Sequence, residues 1–167
     1  LMHIAEDMLM STGAIVPLYF YTDVFVVDET VDGMVVNPLG YKYFHTATVN
    51  GSGDSINICL SSEPDTLDPA LNSAVDGATM LVHLFAGLAK WDQDENGNLV
   101  ITADCAEELT EGVVNEDGTV TYTYTLKDGL KWSDGQDLTA ADFAFAWKRA
   151  ASSELGADYG YMFEVVK

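Results

Sequence analysis

The chain has 167 residues, with 27 Asp and Glu against 7 Lys and Arg, for a formal net charge of −20. Phosphate backbones and anionic lipid surfaces are bound through Lys and Arg, so this balance excludes a nucleic-acid partner and opposes attachment to an anionic membrane. At 48% hydrophobic and 11% aromatic residues, the composition is that of a globular chain expected to bury an ample core in one domain, and no uncharged apolar run nears the ~18–20 residues of a membrane span.

In chain order, residues 1–10 place Leu1, Ile4, Ala5, Met8 and Leu9 on one helical face. No capping residue precedes them, so the start reads as cut from a longer sequence, and Glu6 and Asp7 in place of a basic leader argue against a signal peptide here. Residues 14–21 (AIVPLYFY) predict a buried strand with Pro17 at a bulge or edge, and 24–27 a second extended stretch. Turns are expected at Asp32-Gly33 and Asn37-Pro38, followed by a strand over 41–49. Residues 50–55 (NGSGDS) form a flexible linker, with six acids and one base up to residue 50 and twenty-one acids and six bases beyond it. Residues 56–60 predict a strand, 61–69 a turn-rich passage, and 77–86 a helix capped by Asp76, its core face being Met80, Leu81, Leu84 and Phe85. A hairpin turn at 115–118 leads into a strand over 120–126. Thr139 and Asp142 have the spacing of a capping box opening a helix over 140–150, with Lys148 and Arg149 suited to the dipole of its last turn. The apolar segment 159–167 has no terminator.

Several residues invite chemistry. Residues 92–97 (DQDENG) resemble the opening of an EF-hand calcium loop, but Ala103 stands where the bidentate Glu belongs, and a polar hairpin turn explains them as well. Asp65 and Asp68 form an acid pair open to general acid–base work, although the surrounding Pro and Asp residues are also turn formers. His3, His45 and His83 stand far apart, beside no nucleophile, and read as surface or core-edge residues. Cys59 and Cys105 lack a metal or redox spacing and form either one disulfide or two small buried thiols. No cofactor motif is present. The Tyr and Trp residues exceed the needs of one small core, leaving a minority to line a cleft.

Four stretches converge on one family: SEPDTLDPALN (62–72), HLFAGL (83–88), YTLKDGLKWSDGQDLTAADFAFAWKRA (124–150) and ADYGYMF (157–163). Together they resemble the N-terminal part of the oligopeptide-binding proteins of ABC importers, family 5 of the extracellular solute-binding proteins, which also includes dipeptide- and nickel-binding members. The KWSDG turn followed by a T-A-x-D-F helix is specific in combination, and the resemblance covers nearly all of 56–167. Residues 1–50, through AEDMLM, AIVPLYFYTD and VDGMVVNPLG, resemble the C-terminal tail of the same proteins. The order is inverted, and an engineered circular permutation joining two chain ends through the linker 51–55 is the simplest explanation.

The resemblance implies an α/β fold: a mixed-sheet lobe of a two-lobed, class II-like periplasmic binding protein, with the strands near 14–21 and 41–49 close to that at 56–60. It implies that Ser73, Ala74 and Val75 run alongside a bound peptide, that Tyr159 lies near the ligand, and that Tyr19 and Tyr21 sit on the tail strand of the same lobe. It implies a non-enzymatic receptor, extracytoplasmic and periplasmic or lipid-anchored at the cell surface, whose partners are an oligopeptide and the membrane subunits of an ABC permease. The second lobe is missing, so this lobe is expected to be a monomer that binds weakly alone. The alternatives are a calcium-dependent adhesion or structural domain built on the Asp92 loop, and a carboxylate-based hydrolase.

Overall fold

A computed structural model describes residues 1–20, 22, 24–37, 40–49 and 55–166. Helix α1 (Met2–Ser11) forms from a run of Met, Leu, Ile, Ala and Glu, good helix formers without a β-branched cluster, and closes as Thr12 donates to the Leu9 carbonyl. None of its residues is buried. The apolar face read from its spacing makes no contact with another helix or strand among the described residues.

The strand expected over 14–21 does not form. Residues 16–20 join no sheet, Phe20 is 99% exposed, and Tyr21 lies outside the described residues. The stretch 24–27 is likewise unpaired and exposed. A strand exists only through its ladder, and Pro17 removes one donor while no segment among the described residues pairs with this one.

Residues 31–49 instead form two nested antiparallel pairs. The outer pair joins β1 (Val31–Asp32) to β4 (Thr48–Val49), and the inner joins β2 (Val35–Val36) to β3 (Lys42–Tyr43), with Val35 opposite Tyr43. The single strand expected over 41–49 is split because Ala47 donates to the Phe44 carbonyl and the Thr46 hydroxyl reaches back to the Gly33 carbonyl. At the inner turn the Asn37 carboxamide oxygen accepts the Tyr41 amide; Pro38 and linker residues 51–54 lie outside the described residues.

Residues 56–60 are unpaired rather than a strand. Helix α2 (Val75–Leu84) starts two residues before the expected position, with Ala74 rather than Asp76 as its N-cap. Its buried residues are Gly77 and Thr79, whereas the expected core residues Leu84 and Phe85 are 55% and 45% exposed. Strands β5 (Ala89–Gln93) and β6 (Leu99–Ala103) make the longest hairpin, around the 94–97 turn. Only Val120–Thr121 (β8) of the expected 120–126 strand pairs in a ladder, with Val113–Val114 (β7), while Leu126 makes a single bridge to Ala106. Helix α3 (Ala140–Ala150) carries the expected capping box, and a short 3-10 helix (Gly160–Phe163) follows.

Helices and strands are thus mixed, as expected for α/β, but the described strands pair only antiparallel, in four two-stranded sheets. The expected ample core is not found among the described residues. Cys105 and Ala106 are the buried apolar residues among those described, held where 104–106 bond to Gly87 and Leu88 on one side and Cys105 and Glu107 bond to Lys127 and Thr125 on the other. Two-stranded ribbons enclose little volume, so most large apolar side chains stay at the surface. Between 1–49 and 56–167 the described contact is local: α2 packs on β3, and Gln93 Nε2 donates to the Val36 carbonyl at 3.1 Å. No strand pairing joins the two segments among the described residues.

Candidate functional site

The passage ahead of α2 is a chain of local turns centred on Asp68. Its amide donates to Thr66 Oγ1 at 3.0 Å, its Oδ1 accepts the Ala70 amide at 2.9 Å, and its carbonyl accepts the amides of Leu71 and Asn72. Asp and Pro at this spacing favour such side-chain-to-backbone turns. The carboxylate also meets Arg149, the chain's single arginine, 81 residues away: Nη1 donates to Oδ1 at 2.8 Å and Nη2 to Oδ2. This two-pronged geometry is what a guanidinium fork offers a carboxylate. The hydrogen bonds from Arg149 hold the Asp68 carboxyl below its usual range, and Asp68 in turn pushes Arg149 up. Asp68 is therefore an anion paired with a cation, which is not the raised carboxyl a general acid needs.

Asn72 continues the brace by donating from Nδ2 to the Ala74 carbonyl at 3.0 Å. Ala74 is extended (φ −111°, ψ 150°), and its carbonyl also takes the first helical bond, from Ala78. Ser73, Ala74 and Val75 are all exposed, Val75 at 72%. No described residue bonds the Ser73 amide or carbonyl. The result is a short exposed entry into α2, extended at Ala74 and braced by the Asn72 side chain. Gly77 lets α2 approach it closely, because a Cβ there would overlap Asn72 Oδ1 and stand 3.1 Å from the Thr66 carbonyl oxygen. Asp76 accepts a hydrogen bond from Ser62 Oγ rather than capping the helix.

Helix α3 is the second support. Asp142 Oδ2 accepts both the amide and the hydroxyl of Thr139, which lowers the Asp142 pKa. One turn before the helix ends, Trp147 meets Phe163 edge-on, 5.8 Å between ring centroids, and so holds the 3-10 helix whose N-cap is Tyr159. Tyr159 is half-exposed and tilted 51° against Tyr161. The same helix thus holds the Ser73 edge through Arg149 and the Tyr159 segment through Trp147. No described contact joins Tyr159 to Ser73, Ala74 or Val75 directly. Tyr19 stands 77% exposed on the unpaired 16–20 stretch, and Tyr21 lies outside the described residues. Sequence reasoning missed the Asp68–Arg149 brace, assigning Arg149 to the helix dipole; the available signal was a lone arginine in a strongly acidic chain.

The 92–97 loop is a hairpin turn. Asp94 accepts the amides of Asn96 and Asn98 and the Asn98 carboxamide, and these bonds lower its pKa. Its oxygens are spent on the turn, and among the described residues no three His, Cys, Asp or Glu side chains cluster to hold a metal. The cysteines form no disulfide: Cys59 is exposed rather than buried, and Cys105 is buried with its thiol pushed up by desolvation and by Asp104. No helix among the described residues is long and apolar enough to cross a membrane.

Residues 102–167 match the model of bacterial extracellular solute-binding proteins, family 5 Middle. The chain is 32% identical over 114 residues to the oligopeptide-binding protein of Bacillus subtilis, covering 68% of this chain and 19% of that protein. It is 53% identical over 53 residues to the dipeptide-binding protein of Lactococcus lactis, 32% of this chain and 10% of that one. Against the periplasmic murein peptide-binding protein of Escherichia coli it is 32% identical over 126 residues, 74% of this chain and 22% of the other. The chain therefore spans about a fifth or less of the length of these relatives. No solved structure matches.

Proposed function

Because this chain belongs, through residues 102–167, to the bacterial extracellular solute-binding proteins of family 5, we propose that it is a portion of the peptide-binding component of an ABC importer. It works outside the cytoplasm and hands an oligopeptide to the permease subunits in the membrane. Segments 1–50 and 56–167 are two ends of the family chain in inverted order, contributing to one lobe of a two-lobed clamp.

The observation that supports this reading is the exposed run Ser73, Ala74 and Val75 leading into α2, in which Ala74 is extended and no described residue bonds the Ser73 main chain, the run being braced by Asn72 and by Asp68 on Arg149. A peptide laid along such an edge gains main-chain hydrogen bonds that tolerate varied side chains. Tyr159 supplies a half-exposed aromatic face on the segment held by the same helix, and Tyr19 and Tyr21 are the weaker contributors.

One wall of a cleft buries only part of a ligand, so affinity falls well short of that of a closed clamp. Titration calorimetry with a mixed pool of tri- to pentapeptides is expected to show no micromolar binding. Millimolar peptide is expected to shift the amide resonances of Ser73, Ala74 and Val75 before others. Micromolar affinity would overturn the single-wall reading, and shifts confined elsewhere would overturn the edge.

A further inference from the structure

The contact between the first 49 residues and the remainder holds a group used nowhere in the proposed site. His83 lies in the last turn of α2, and both of its ring nitrogens are engaged. Nδ1 lies 2.7 Å from the Thr79 carbonyl oxygen, and Nε2 lies 2.9 Å from the amide nitrogen of Phe44. A carbonyl can only accept and a backbone amide can only donate, so the proton sits on Nδ1 and Nε2 is a bare lone pair. The ring also stacks on Phe44, with centroids 5.0 Å apart and planes 22° apart. We infer that His83 is a proton-sensitive clasp holding the β2–β3 hairpin to α2.

Protonation of Nε2 sets an N–H against the Phe44 N–H, which removes the hydrogen bond and leaves two donors facing each other. Histidine as a residue type takes up a proton in mildly acid solution, and the clasp is closed while Nε2 is bare and opens when Nε2 is protonated. The titratable and charged groups around it are known. From the hairpin come Lys42, Tyr43 with its ring 6.3 Å away, Tyr41 beside Tyr43, and His45 edge-on to Tyr43. From β5, Asp92 acts on Tyr43, and α2 itself carries Asp76. Lys42 is turned toward the Gly40 carbonyl and the Phe25 ring. Tyr43 keeps its proton in neutral and mildly acid solution: burial pushes it up, with Tyr41 and Asp92 adding to it. His45 makes no bond to the clasp and serves as its internal control.

The inference does not rest on peptide binding and is tested without a peptide. Nitrogen-15 spectra of the His83 ring in the full chain at pH 8 are expected to show a protonated Nδ1 and a bare Nε2. Hydrogen-exchange protection of the Phe44 amide, taken as the ratio of the wild-type chain to His83→Gln at the same pH, is expected to fall about fivefold between pH 8 and pH 5, the worth of one ordinary hydrogen bond. His45→Gln should leave that fall intact. A protonated Nε2 at pH 8, or a ratio that stays constant with pH, would overturn the clasp; the ring spectra need no variant to fold.

Discussion

Replacing Gly77 with Ala tests the packing that holds the Ser73 edge. On an open helix face the change stabilises, by up to about 1 kcal/mol in a helix interior and less at this third helical position. Here the new methyl would overlap Asn72 Oδ1, lie 2.8 Å from Asn72 Cγ and stand 3.1 Å from the Thr66 carbonyl oxygen. The Asn72 side chain can swing away only by giving up its 3.0 Å bond to the Ala74 carbonyl, a loss of about 1 kcal/mol. Overpacking of the rest costs roughly 1–3 kcal/mol. Set against the propensity gain, the net expectation is a destabilisation of about 1–3 kcal/mol, read as a lower urea midpoint at unchanged slope. The Asn72→Ala background removes most of the obstruction and leaves the Thr66 contact alone, so Gly77→Ala there is expected to be near neutral or mildly stabilising. A double-mutant cycle isolates the difference. Stabilisation by the same amount in both backgrounds would refute the close approach of α2 to the 66–72 loop.

Asp68 has its carboxyl lowered by Arg149, so this pair stabilises the fold fully above the ordinary carboxylate value near ~3.9 and loses its contribution as the pH falls through the lowered native value. Arg149→Lys replaces the fork with a point charge, and the Asp68 titration followed by carboxyl NMR should move up toward the ordinary range; an unchanged titration would refute the two-pronged contact. The two thiols differ in access, so a colorimetric disulfide reagent should modify Cys59 at once in the native chain and Cys105 only at the rate of local opening, whereas equal rates would contradict the burial of Cys105.

What could be read from sequence divides by range. The helices at 2–11 and 140–150, the Thr139–Asp142 box and the turns at 94–97 and 115–118 depend on groups within four residues of each other, and the structure has them where spacing put them. The strands expected over 14–21 and 56–60 rest on apolar content and β-propensity, which say what a residue prefers to face but not which segment will pair with it. With no ladder partner among the described residues, 16–20 and 56–60 join no sheet. The start of α2 was misplaced for a related reason: Asp76 has the chemistry of a cap, but its carboxylate is taken by Ser62, fourteen residues back, while Asn72 supports the Ala74 carbonyl.

The candidate site shows the same division. Ser73, Ala74, Val75 and Tyr159 were reached through resemblance, and no local pattern marks them as ligand-facing. What holds the first three in place is non-local, since Arg149 reaches across 81 residues to the turn from which they emerge. A main-chain edge binds tightly only if it is extended before the ligand arrives, because ordering it on binding would consume part of the gain. The Asp68–Arg149 pair and the Gly77 contact restrain this edge in the absence of any ligand, and Trp147 on Phe163 restrains the Tyr159 segment from the same helix. Loosening α3 should therefore weaken both parts of the site together, whereas loosening α1, which buries nothing, should leave both unchanged.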